Sequence, residues 1–128
     1  MGKEFLIDSN IAIGYIGGTL THGGLKKVRD VVNDSCQISV VTKIEILGFN
    51  SSTDEADLLE RFVNDSTVYL VNDEVADKAI EIKKSKKIKT PDAIIAATAL
   101  VNSLTLLTRN VSDFKGIKGL DVLNPYEL

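Results

Sequence analysis

Residues 5–13 read FLIDSNIAI. A short, wholly apolar run stops at Asp8, Ser9 and Asn10 follow, and apolar residues then resume. A brief apolar run bounded by polar turn-formers reads as a buried strand, and Asp-Ser-Asn before a new apolar stretch reads as a helix start. The segment is therefore strand, acid, helix, and the same order recurs along the chain. QISVV (37–41), TVYLV (67–71), LTLLT (104–108) and DVL (121–123) read as further strands. Helices are predicted through Ile11–Ile16, from Leu25 to Asn33, from Thr42 to near Gly48, and over 54–64 with Ala56, Leu59, Phe62 and Val63 inward. Two more follow. One is capped by Asn72 or Asp73, with Val75, Ala76, Ala79 and Ile82 inward; the other covers 91–102, with Thr90 as cap and Pro91 in its first position. Gly17, Gly18, Gly23 and Gly24 bracket a predicted loop that also holds His22. Alternating strands and helices predict a three-layer α/β/α sandwich around a central, mainly parallel sheet of four to five strands.

At 128 residues the chain has the length of one domain, 1–128, without repeats or linkers. Its balance of 44% hydrophobic and 26% charged residues fits a chain that folds in water around a core. With no Trp, that core must be built from Ile, Leu, Val and Ala. A lone Cys36 rules out an internal disulfide and agrees with a cytoplasmic location. The opening MGKEFLIDSN has too short an apolar run for a signal peptide, and no stretch approaches the roughly 20 residues of a membrane span. The net charge of −3 argues against nucleic-acid binding driven by overall charge. Positive charge is nonetheless concentrated: Lys83, Lys84, Lys86, Lys87 and Lys89 precede Asp92, and Arg109, Lys115 and Lys118 surround Asp113.

Four acids stand at the strand-to-helix junctions or just past an apolar run: Asp8, Glu45, Asp92 and Asp113. Open α/β sheets bind ligands beyond the carboxyl ends of their strands, so one parallel sheet would bring these acids to one edge. Each has a plainer use. Asp8 could cap the helix at Ser9, Thr42 and Glu45 have capping-box spacing, Asp92 suits the first turn of a helix, and Asp113 could close an Asx turn. Jointly they are costly. Two carboxylates ~5 Å apart at an effective dielectric of ~20 repel by roughly 3 kcal/mol, a large share of a domain's ~5–15 kcal/mol. A divalent cation would remove the cost. Hard oxygen donors without a His or Cys cluster favour Mg²⁺ or Mn²⁺ over zinc, which points to hydrolysis of phosphate esters.

These stretches together resemble the PIN domain family, and within it the VapC-type toxins of toxin–antitoxin pairs. The likeness runs over essentially the whole chain. Asp8-Ser9-Asn10 closing the first strand resembles the family's first motif, and Glu45 after the second strand its second. Pro91-Asp92-Ala93-Ile94-Ile95-Ala96-Ala97-Thr98-Ala99 resembles the third and is the most specific; Thr108-Arg109-Asn110 with Asp113-Phe114 resembles the fourth. The glycine-rich stretch from Gly17 to Gly24 departs from the pattern.

The resemblance implies an endoribonuclease in which Asp8, Glu45, Asp92 and Asp113 hold one or two Mg²⁺ or Mn²⁺ ions and are catalytic. It implies that Ser9, Asn10, Thr108 and Asn110 orient these carboxylates or touch phosphate. Arg109, Lys86, Lys89 and Lys115 are the expected contacts to the RNA backbone. It also implies a homodimer silenced by a cognate antitoxin, whose segment would fill an apolar groove near Ile13, Ile16 and Phe49. Three other readings stand beside this one: a housekeeping RNA-processing nuclease of the same fold, a receiver-like phosphoacceptor module, and a binding module without catalysis. The receiver reading needs an acidic pair after the first strand, and Asp8 has no acidic neighbour.

Overall fold

The structure, a computed structural model, describes residues 3–128. Its strands are short: β1 (Phe5–Ile7), β2 (Gln37–Ser39), β3 (Thr67–Tyr69), β4 (Thr105–Leu107) and β5 (Val122–Leu123). Six helices lie in pairs between the first four strands: α1 (Ser9–Gly17), α2 (His22–Ser35), α3 (Val40–Leu47), α4 (Thr53–Asn64), α5 (Asp73–Ser85) and α6 (Thr90–Val101). Two 3₁₀ turns, Val111–Phe114 and Pro125–Glu127, complete the described elements.

All hydrogen-bonded strand pairings are parallel. Phe5, Leu6 and Ile7 face Thr105, Leu106 and Leu107, and Leu106 and Leu107 in turn face Val122 and Leu123. Gln37–Ser39 pairs with Thr67–Tyr69. The expected sheet of four to five strands is therefore present as two ladders, β1-β4-β5 and β2-β3, with β2 packed beside β1.

Strand side chains alternate between the two faces, and the core divides accordingly. Phe5, Ile7, Ile38 and Leu107 pack with Ile11, Val28, Val31, Ile46, Leu59 and Phe62, which covers one face with α1 to α4. Leu6 and Leu106 pack with Val75, Ala79, Ile82 and the buried run Ala93 to Ala99, which covers the other with α5 and α6. The alanines of α6 let that helix approach the sheet closely, with Ala93, Ala96, Ala97 and Ala99 fully buried. This is the three-layer α/β/α sandwich. No helix among the described residues is long and apolar enough to cross a membrane.

Local boundaries depart from the sequence reading in instructive ways. β2 ends at Ser39, and α3 begins at Val40 rather than Thr42 because the Ser39 hydroxyl accepts from the Thr42 N–H and caps the helix. Thr90 is the first residue of α6, after Lys89, and its hydroxyl makes no capping bond. The predicted loop through Gly23 and Gly24 is the first turn of α2, capped by Thr21, and His22 is an exposed residue of that turn. Gly18 (φ 75°) ends α1 in the left-handed conformation that glycine adopts most readily. Ala56, expected to face inward, is exposed; Leu59, Phe62 and Val63 bury α4 without it.

Candidate active site

Because β1 and β4 are parallel and in register, the residues that follow them, Asp8 and Thr108, emerge side by side. The Asp8 N–H extends the ladder by donating to the Leu107 carbonyl at 2.9 Å, and the Asp8 carbonyl accepts from Ile11 and Ala12 to start α1. Its carboxylate is 5% exposed. One oxygen accepts from the Ser9 N–H at 2.8 Å. The other accepts from the Thr108 hydroxyl at 2.8 Å and the Asn10 amide at 3.3 Å. Asp8 is thus both helix cap and member of the acidic group. Burial raises its pKa above the usual carboxylate range; the Thr108, Ser9 and Asn10 bonds oppose that, and the charge of Asp113 adds to it.

Glu45 lies in the body of α3, and the capping duty its spacing suggested belongs to Ser39 instead. The residue is exposed overall, yet crowding around its carboxyl raises its pKa, followed by the charge of Asp8 and, to a smaller extent, that of Asp92; the Ser9 hydroxyl works the other way. Asp92 sits half-buried in the first turn of α6. Burial, then the charges of Asp113 and Asp8, raise its pKa, while Lys89 lowers it. Asp113 is carried exposed on the Val111–Phe114 turn, whose apolar anchor Phe114 is buried against the α6 side of the sheet. Each of the four acids therefore feels the charge of at least two others or acts on two others, although they are spread over more than 100 residues of chain. Among the described residues, no three acidic, His or Cys side chains already stand close enough together to hold an ion. The donor chemistry suits a hard cation: carboxylate oxygens only, with no imidazole or thiolate.

The neighbouring polar residues divide by role. Thr108 is fully buried and is the hub: it donates to Asp8 and accepts from the Asn110 N–H at 3.1 Å and the Asn10 amide at 3.3 Å. Asn110 takes part through its main chain. Asn10 also accepts from the Arg109 N–H at 3.0 Å.

A cleft of about 440 Å³ lined by Lys86, Lys87, Ile88, Lys89, Ser112, Asp92 and Asp113 adjoins the acids. Lys86 is less free than the sequence suggested. Its ammonium donates to the Asp113 carbonyl at 3.1 Å and the Lys115 carbonyl at 2.7 Å, strapping the Asp113 turn to the segment between α5 and α6. Lys83 is likewise committed, to the Ile88 carbonyl. Lys87, Lys89 and Lys115 remain as cations of this surface. Nothing in the lysine run distinguishes the strap from its neighbours, so the sequence held no signal for it. A larger, shallow groove of about 560 Å³ on α4 contains none of the four acids.

The PIN domain family matches residues 5–120 of the chain. Over 41 residues the chain is 54% identical to ribonuclease VapC1 of Rickettsia felis, a match that spans 32% of the chain and only 31% of that relative's length. Among solved structures, the chain is similar to one from a toxin–antitoxin complex of Klebsiella pneumoniae, with 28% identity, TM-score 0.79, and coverage of 98% of the chain and 100% of that structure. A chain of DNA-bound VapBC from Salmonella typhimurium shares the fold at 21% identity, TM-score 0.78, with 97% and 99% covered.

Proposed function

The chain belongs to the PIN domain family, and from that premise we propose that it is a Mg²⁺- or Mn²⁺-dependent endoribonuclease of the VapC type, the toxin of a toxin–antitoxin pair. The observation that carries the reading is the mutual electrostatic crowding of Asp8, Glu45, Asp92 and Asp113 past the ends of parallel strands. Carboxylates raised by burial and by one another form a site that gains from a hard cation. The similarity to ribonuclease VapC1 and to the Klebsiella pneumoniae complex supports the enzyme class and an antitoxin partner.

The four acids would hold one or two ions. When bound, such an ion supplies Lewis-acid charge for the scissile phosphate and makes an attacking water more acidic. The protein's own contribution is position and field. Thr108, Ser9 and Asn10 fix both oxygens of Asp8, so its carboxylate would meet a cation without reorganisation. Lys86 fixes the main chain that carries Asp113. Lys87 and Lys89 give the adjoining cleft a positive wall for the RNA backbone, although the chain as a whole is acidic.

Exposed apolar side chains Ile44, Leu47, Phe49 and Leu58 lie on or between α3 and α4. Such a surface suits a partner, either a second copy or the antitoxin. A smaller cleft of about 350 Å³ between Ile16, Val32, Cys36, Leu58 and Phe62, edged by Asn33 and Asp65, offers a partly apolar seat for an antitoxin segment. A cytoplasmic setting agrees with the free, buried Cys36.

The test is cleavage of a labelled structured RNA by purified protein with chelator, Mg²⁺ or Mn²⁺. Cleavage that depends on the metal and disappears in Asp92→Asn supports the reading. Cleavage in chelator, or full activity in that variant, overturns it.

A further inference from the structure

The Pro125–Glu127 turn folds back across α1 and α2 into a seat made of glycines. A side chain at Gly14 would strike the Tyr126 hydroxyl, one at Gly24 the Pro125 carbonyl, and one at Gly23 the main chain of Leu128. Gly23 and Gly24, read from sequence as loop glycines, are therefore room for this turn, as is Gly14 within α1. Thr21 donates to the Leu128 carbonyl at 2.9 Å. Tyr126 is fixed at both ends: its N–H donates to the Asn124 side chain at 2.9 Å, and its hydroxyl shares a 2.8 Å hydrogen bond with Thr19.

Over that fixed ring stands the Arg109 guanidinium, 4.3 Å from the ring centroid. Arg109 is held at its root as well, because its N–H donates to Asn10, whose amide reaches Asp8. Its backbone directly follows Thr108, the hub of the acidic centre. A free arginine loses much of its rotamer freedom on grasping a ligand. Here both ends are restrained beforehand. Among the described residues Arg109 makes no ion pair; the ion pair present there joins Lys78 and Glu81. A guanidinium over an aromatic face keeps its in-plane N–H groups for a phosphate.

We propose that Tyr126 is a positioning residue whose ring presents Arg109 to an RNA phosphate beside the acidic centre. The proposal rests on the ribonuclease reading and adds a residue outside its four acids. Arg109 supplies the charge, and Tyr126 sets where that charge stands.

The experiment titrates a fluorescein-labelled RNA hairpin in chelator over a salt series, then measures steady-state cleavage in Mg²⁺. Arg109→Ala lowers the slope of log affinity against log salt by about one, as loss of one phosphate contact requires. Tyr126→Leu raises KM about two- to fivefold, the equivalent of an exposed cation–π pair, and leaves kcat unchanged. Tyr126→Phe keeps the ring under Arg109 but frees it from Thr19, so its KM lies between those of the parent and Tyr126→Leu. In the Arg109→Ala background, Tyr126→Leu has no further effect on KM. Thermal melts of each variant separate loss of binding from loss of fold. A Tyr126→Leu effect that is equal with and without Arg109, an unaltered salt slope in Arg109→Ala, or a folded Tyr126→Leu variant with parental KM overturns the positioning role while leaving the ribonuclease reading intact. A parent protein that neither binds nor cleaves RNA overturns both.

Discussion

Thr108→Val removes one hydroxyl while keeping a β-branched shape, and the structure gives the consequence a size. The hydroxyl donates to a carboxylate that is only 5% exposed. A hydrogen bond to a charged group contributes about 1.5–3 kcal/mol. The Asn110 N–H that it also serves lies on an exposed residue and can turn to water. The added methyl is buried and returns about 0.8 kcal/mol. The net loss is about 1.5 kcal/mol. With unfolding entropy near 2.1 cal/mol/K per residue, a chain of 128 residues then melts about 5–6 °C lower. The loss must also depend on pH. Thr108 is the largest influence holding the Asp8 pKa down against burial, so the variant's folded-state pKa rises further. A raised folded pKa means that the folded protein takes up the proton more readily, so the deficit is full at neutral pH, shrinks as pH falls through the raised folded-state values, and is gone by about pH 4, where the folded carboxyl is protonated in parent and variant alike. Urea unfolding in chelator at both pH values measures this. A loss under about 0.5 kcal/mol at neutral pH, or an equal loss at both, refutes the account of Thr108 as the support of Asp8.

Three further outcomes follow from the same structure. Asp8, Glu45 and Asp92 all have raised folded-state pKa values, so the metal-free protein becomes less stable as pH climbs from about 4 through those values and then levels off; urea midpoints in chelator that rise over this range would contradict it, and Mn²⁺ at neutral pH should restore what was lost. Lys86→Met releases two carbonyls, those of Asp113 and Lys115, near the protein surface, so it costs about 1 kcal/mol and lowers kcat by loosening Asp113; an unchanged kcat in a folded variant would show that the strap is idle. Ala96→Leu overpacks the fully buried face of α6 against the sheet and destabilises by about 1–3 kcal/mol, which a thermal melt detects; a variant as stable as the parent would mean that this layer has slack.

Asp8 and Asp92 carry a local mark, an apolar run that ends or a helix that opens on a carboxylate, whereas Glu45 and Asp113 are marked only by following an apolar run within a few residues. The α/β class was legible from the same alternation. What sequence could not supply was any contact made by a side chain chosen from several equals. Lys86 is one of five lysines within seven residues, and only the placement of the Val111–Phe114 turn makes it the strap. Thr42 and Thr90 both look like caps, yet Ser39, the last residue of β2, caps α3, and no side chain caps α6, which follows α5 through a short connection. Gly23 and Gly24 read as the edge of a loop until the Pro125–Glu127 turn, a hundred residues away, is laid against them. β2 and β3 were overrun by two residues each, since the valines that favour a strand also suit the start of a helix in α3 and an exposed connection at Leu70 and Val71.

The double duty of Asp8 has an evolutionary corollary. Its carboxylate begins a helix and closes a buried polar network whether or not any reaction takes place, whereas Glu45 discharges no such local obligation, Ser39 having taken the cap. A descendant of this chain that gave up chemistry and survived only as a scaffold would shed Glu45 early and retain Asp8 long after. In such lineages an intact first aspartate would be a fossil of folding rather than a sign of life in the active centre.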